Sequence, residues 1–260
     1  MIKLLAFDLD GTLTQHKSQL SNEHREILLA LKEKYTLIMV GAGDYARIFK
    51  QMGDFPIDII GNYGMQYAKY DSKTKTINIS KNEVANCDKK ACEEKITYLR
   101  NKFGFTTYAG ESVEFHASGC VTFPILGTKA KLEDKLAFDP DRSKRRAIYN
   151  EVASLFADYN VFVGGSSSFD MSPKPFNKYY ALDLYCQENG IKHNEVCFFG
   201  DDYGIGGNDE SVYKSDFNFI KIDNYLDFPS KVKELDKFND WFKKALKTKP
   251  FLLAICLFLC

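Results

Sequence analysis

Short apolar runs alternate with longer stretches in which apolar side chains recur every three or four positions. The run LLAF predicts a strand over residues 3–8, and Ile27, Leu28 and Leu31 then share one face of a helical stretch near 22–34. Residues 35–40 read as a second strand, which empties into Gly41-Ala42-Gly43-Asp44. Beyond it, Tyr45, Ile48, Phe49 and Met52 fall at i, i+3, i+4 and i+7, an amphipathic helix with Asp44 as N-cap and Gly53 past its end. A third short strand over 57–60 leads into GNYG.

This rhythm predicts a parallel sheet covered on both faces, with ligands bound at the carboxyl ends of its strands, where Asp8 and Asp44 lie. A polar hairpin over 65–80 interrupts it, and the character changes again from 82 to 171. There a helix (88–102), the runs SVEFH and CVTFPI, a second helix (142–156, with Ile148, Val152, Leu155 and Phe156 on one face) and the strand NVFVGG predict a separate inserted α+β domain. The first rhythm returns with a helix over 178–189, stopped by Gly190, and a strand over 196–199. The expected organisation is therefore a discontinuous core, 1–81 and 172–247, an insertion at 82–171 and an apolar tail at 248–260.

A length of 260 residues accommodates two modest domains at the usual ~100–200 residues each. Thirty-five basic and 35 acidic side chains leave a formal charge of zero, which gives no electrostatic footprint for nucleic acid or membrane lipid and favours a small-molecule substrate. Seven cysteines without CxxC pairs, and an amino terminus that enters a strand directly, point to reduced thiols in a cytoplasm. Cys120 and Cys197 sit in apolar runs and read as core residues. The final stretch FLLAICLFLC is about half of the ~20 residues a spanning helix needs and reads as a packing segment, with peripheral membrane contact as the alternative. The basic cluster Arg142, Lys144, Arg145, Arg146 reads as solvated helix surface.

Two acidic constellations carry the chemistry. In FDLDGT, strand alternation aims Asp8 and Asp10 the same way, so that one can attack phosphorus while the other exchanges a proton with the entering or leaving oxygen. Gly11 permits the sharp turn, and Thr12 offers a hydroxyl to a phosphate oxygen. Almost two hundred residues on, VCFFG opens into Asp201, Asp202 and a glycine-rich loop ending in Asn208 and Asp209, oxygen ligands on pliable backbone that suit Mg²⁺. Between them Lys178, behind Pro173 and Pro175, can offset the charge of an aspartate crowded against a phosphate.

As an ordered set, DxDGT, a strand end, a lysine and a GD…ND loop resemble the haloacid dehalogenase superfamily, and GGSSSFD with FFGDDYGIGGND is similar to the type IIB cap branch that holds the eukaryotic-type phosphomannomutases. That resemblance implies an α/β Rossmann-like doubly wound core with the insertion as its cap. It further implies Asp8 as nucleophile, Asp10 as general acid and base, and Mg²⁺ held by Asp8, the Asp10 carbonyl and Asp201, with Asn208 and Asp209 closing the shell. Lys178 and Thr12 complete the phosphate cradle, while Ser168 and Asp170 match residues that contact sugar.

Two departures shape the expected function. Where the family ends its second strand in a hydroxyl, this chain has VGAGD, which leaves backbone N–H groups at Gly43 to bind phosphate. Where the mutases carry cap arginines, it has His116, Thr128 and Lys135, and lysine does not replace bidentate recognition. The expectation is thus a Mg²⁺-dependent phosphatase of a small sugar or polyol phosphate, with phosphomannomutase activity as the alternative and a non-catalytic sugar-phosphate sensor as the third reading. A homodimer through the cap is what the resemblance implies for assembly.

Overall fold

The computed structural model describes residues 1–238; the expected apolar tail lies outside them. Eleven strands form two sheets. β1 (Leu4–Phe7), β2 (Thr36–Val40), β3 (Asp58–Gly61), β4 (Gln66–Asp71), β5 (Thr76–Asn82), β10 (Val196–Gly200) and β11 (Asn218–Lys221) make the larger one, in the order β11-β10-β1-β2-β3-β4-β5. β6 (Glu114–Phe115), β7 (Val121–Pro124), β8 (Tyr159–Phe162) and β9 (Ser168–Pro173) make the smaller, ordered β6-β7-β9-β8 and antiparallel throughout.

The larger sheet is parallel from β11 to β3, and the polar hairpin adds β4 and β5 antiparallel at its edge. Alternation along β1 sorts its side chains to opposite faces. Leu5 and Phe7 pack with Leu28 and Leu31 of α1 (Asn22–Lys32) and Ile48 of α2 (Tyr45–Gln51), while Leu4 and Ala6 pack with Leu182 and Tyr185 of α6 (Lys178–Asn189). This is the doubly wound arrangement that the alternating elements predict. α2 and α6 have the punctuation expected of them: Asp44 accepts from the N–H groups of Ala46 and Arg47, and Gly190 ends α6 in the left-handed conformation. The chain runs outward from β1 through β2 to β3 and resumes on the other side of β1 at β10. The crevice at the carboxyl ends of β1 and β10 is therefore the topological switch point, where open α/β sheets bind ligands.

The smaller sheet packs Val121, Phe123, Phe169 and Met171 against Ile96 and Leu99 of α3 (Lys89–Phe103) and Val152 and Phe156 of α5 (Ser143–Leu155). The intervening residues, Thr122 and Asp170, face the opposite way and pair across the strands. Three further short helices are α4 (Leu132–Phe138), α7 (Glu210–Tyr213) and α8 (Phe228–Lys231). β9 carries the pairing of the smaller sheet on to Pro173, two residues past the expected boundary at 171. β9, β11 and α4 lie in segments where no element was expected; the two strands are short and α4 buries none of its residues.

Of the basic cluster only Lys144 is exposed helix surface; the three arginines are turned inward or to the acidic loop. Arg145 is 1% exposed, with Nε 2.8 Å from Asp139 Oδ2 and Nη1 donating to the carbonyl oxygens of Gly164, Gly165 and Ser168. Arg142 and Arg146 reach the core, pairing with Asp202, and Arg146 also donates to the Ile205 carbonyl. With the Tyr63–Phe162 stack (centroids 4.5 Å apart) and the Val163 N–H on the Gly206 carbonyl, these contacts fasten the smaller sheet over the larger. Truncating one member of a buried ion pair strands the other. Arg145→Ala is expected to destabilise the protein by about 3–5 kcal/mol in urea denaturation, and a loss under 1 kcal/mol would show that Asp139 is not held by this contact.

Candidate active site

β1 ends at Phe7, so its alternation does not extend to Asp8 and Asp10. Both line one cavity of about 1070 Å³ between the two sheets, yet they turn to different partners. Asp8 Oδ1 is 2.7 Å from Nζ of Lys178. Asp10 accepts from the Gln51 amide (2.7 Å), from Nη1 of Arg47 (3.1 Å) and from the Lys17 N–H (2.8 Å). Burial disfavours the charge on Asp10, but these donors outweigh it and hold its carboxyl below the usual range.

Lys178, fully buried at the start of α6, is the hub of the site. Its ammonium sits 2.7 Å from Asp8, 2.7 Å from Asp209 and 2.8 Å from Asn208 Oδ1, which uses all three of its donors. Burial works against the charge, and the Asp209 and Asp8 carboxylates overcome it, raising the ammonium's pKa above its ordinary value. The second oxygen of Asp209 accepts from the Asp202 N–H. Asp201 lies alongside: burial, reinforced by Asp8, Asp209 and Asp202, pushes its carboxyl up to about 9. Oxygens of Asp8, Asp201 and Asp209 all lie within 4.8 Å of one another, a donor set that fits a hard divalent cation.

Gly11 is required here twice over. Its φ of +98° suits glycine, and a Cβ would fall on the Asp201 carboxylate, 2.6 Å from its Cγ. The hydroxyl of Thr12 is turned to Asp201 as well, donating to Oδ1 at 3.0 Å.

The cavity wall opposite Asp8 comes from the smaller sheet. Thr122 donates to Asp170 (2.9 Å), whose carboxyl is raised by burial, and Ser168 donates to the Gly164 carbonyl (3.1 Å). His116 bonds Thr122 (3.0 Å), and Lys135 donates to the Thr128 carbonyl (3.0 Å). Arg142, Lys135 and Gly43 also line this cavity. Arg47, Gln51 and Arg142 are site residues that the motif reading passed over. The first two stand four apart on α2, directly after the second strand end, and that spacing is a signal for residues at the mouth of the sheet.

Comparison with known proteins agrees with this geometry. Phosphomannomutase from Saccharomyces cerevisiae is 28% identical over 222 residues, 81% of this chain and 84% of the relative. Human phosphomannomutase 1 is 26% identical over 81% of this chain and 82% of its own. Among solved structures, an IMP-bound IMP-nucleotidase of Plasmodium falciparum superposes with a TM-score of 0.65 at 16% identity, covering 91% of this chain and 68% of that one. A haloacid dehalogenase-like hydrolase from B. subtilis gives 0.57 at 16% identity, over 85% and 89%. Residues 5–214 match the sequence family described as haloacid dehalogenase-like hydrolase, a span that runs from β1 through the acidic loop after β10. With its aspartates at the switch point and an α+β cap above them, the chain belongs to the haloacid dehalogenase-like hydrolase family.

Proposed function

We propose that this chain transfers the phosphoryl group of a small hexose phosphate by way of an aspartyl phosphate on Asp8, in the manner of a phosphomannomutase. The observation that carries the reading is the pairing of Asp8 with buried Lys178 at the switch point, beneath a cavity whose far wall is a cap. The names of the sequence relatives support the mutase outcome. We take residues 1–81 and 172–247 as the catalytic unit and 82–171 as the cap.

In this mechanism Asp8 carries a phosphoryl group received from a hexose bisphosphate; a hydroxyl of the sugar monophosphate attacks that phosphorus, the Asp8 carboxylate oxygen departs, and Asp10 takes the hydroxyl proton. The bisphosphate so formed reorients, an oxygen of Asp8 attacks its other phosphorus, and Asp10 returns the proton to the departing sugar oxygen. Lys178 holds Asp8 in place and meets charge gathering on the phosphoryl oxygens. Ser168 and Asp170 offer polar groups to the sugar. Asp8, the Asp10 carbonyl and Asp201, with Asn208 and Asp209 closing the shell, would hold Mg²⁺, which would supply charge neutralisation between nucleophile and phosphate.

Simple hydrolysis is the second reading. It is favoured by His116, Thr128 and Lys135, each engaged within the cap, where mutase-like retention of a bisphosphate calls for guanidinium forks. Arg142 is the cap guanidinium that counts on the other side.

Incubation with mannose 1-phosphate, MgCl₂ and a trace of hexose 1,6-bisphosphate, reading mannose 6-phosphate and free phosphate separately, is expected to yield mannose 6-phosphate. Asp8→Asn is expected to abolish it and Asp10→Asn to slow it about 10²–10⁴-fold. Free phosphate without the isomer would replace transfer by hydrolysis, and neither product from a panel of sugar phosphates would sink the reading.

A second test uses the acidic cluster. Asp201 keeps a proton in the folded protein that an unfolded chain releases near pH 4, so it lowers stability as pH rises from there towards about 9. A bound cation removes that cost. Asp201→Asn is expected to raise the metal-free unfolding midpoint at pH 8 by about 2–4 °C and to erase the further rise that MgCl₂ gives the parent. An undiminished MgCl₂ response in the variant would place the cation elsewhere.

A further inference from the structure

The second strand of this chain ends without the hydroxyl its family uses, and the space that side chain would fill is already taken. A Cβ built on Gly43 would lie 2.6 Å from Cζ and 2.5 Å from Nε of Arg47, and closer still to Nη2. Any residue but glycine would evict the guanidinium. The guanidinium is held at one end only: Nη1 donates to Asp10 Oδ2 at 3.1 Å and to Gln51 Oε1 at 3.0 Å. Among the described residues Nε and Nη2 have no acceptor, and neither do the N–H groups of Ala42 and Gly43 beneath them. All three residues line the cavity that holds Asp8.

An edge of parallel N–H donors on an always-charged plane fits two oxygens of one phosphate, which a hydroxyl cannot match. We propose that Arg47 is the phosphate-gripping residue that stands in for the absent strand-end hydroxyl. Nε and Nη2 hold two phosphoryl oxygens in transit at Asp8, while Nη1 keeps Asp10 oriented beside them. Gly43 is then the residue that makes room for this replacement, beyond any backbone donation of its own. The inference rests on the phosphoryl-transfer reading of Asp8 and deepens it: the ligand class is a phosphate monoester dianion, met by a fork from the core side.

Turnover alone would mix the two roles of Arg47, because its loss also frees Asp10. Binding of inorganic phosphate to the full chain in MgCl₂, measured by titration calorimetry, reports the fork. Arg47→Ala is expected to weaken phosphate on the order of ten- to hundredfold, and Arg47→Lys to recover little of it. Gly43→Ser is expected to weaken phosphate in the parent, by displacing the guanidinium, and to strengthen it several-fold in the Arg47→Ala background, by placing a hydroxyl in the vacated space. That reversal of sign is a readout that general damage to the fold does not produce. A parent that binds phosphate while Arg47→Ala stays within twofold of it overturns this inference and leaves the Asp8 reading standing. So does Gly43→Ser weakening phosphate equally in both backgrounds. A parent that neither binds phosphate nor turns over any sugar phosphate overturns the reading of the whole site, and this inference with it.

Discussion

One buried ammonium organises the catalytic end of this protein. Lys178 Nζ gives its three protons to Asp8, Asp209 and Asn208, and no water competes for them because the side chain is fully buried. Such a cluster is stable only as a set, since removing the lysine would leave two buried carboxylates uncompensated. It is also unbalanced as it stands. Asp201 brings a third carboxylate against the single cation, and burial, reinforced by its acidic neighbours, pushes its carboxyl up to about 9. A divalent cation held among these carboxylates would balance that charge.

The same cluster explains why the chain is interrupted where it is. Asp8 follows β1, Lys178 opens α6 and Asp209 follows β10, so the site draws on segments from both sides of the inserted sheet. Parallel order with reversal at β1 and β10 brings those ends together at the switch point, and the insertion falls across the mouth of that crevice. The cap is tied to the acidic loop through Arg142, Arg146 and Asp202, beside the residues that would hold the metal.

Much of this was legible in the sequence. Strand ends and capped helices carry local periods, so β1, β2, α2 and α6 could be read to within a residue or two. The four charged groups of the site stood out because each follows such a strand or opens such a helix. What could not be read depends on partners remote in sequence. Arg145 reads as surface until the carbonyls of Gly164, Gly165 and Ser168 are seen around it. Thr12 reads as a phosphate ligand, and only the fold turns its hydroxyl to Asp201. β9 hid because two serines, an aspartate and a proline mask a strand with two buried side chains facing the helices, Phe169 and Met171. Arg47 hid because the volume vacated at Gly43 is a property of three dimensions.

The central claim is that Asp8 becomes the phosphorylated residue, with Lys178 and the acidic triad arranged to receive that charge. A crystal structure of the protein with MgCl₂ and beryllium fluoride tests it most directly. The account expects a trifluoroberyllate adduct on a carboxylate oxygen of Asp8, within hydrogen-bond reach of Lys178 Nζ, with the metal held among Asp8, Asp201 and Asp209. An unmodified Asp8, or a metal bound away from Asp201 and Asp209, would contradict it.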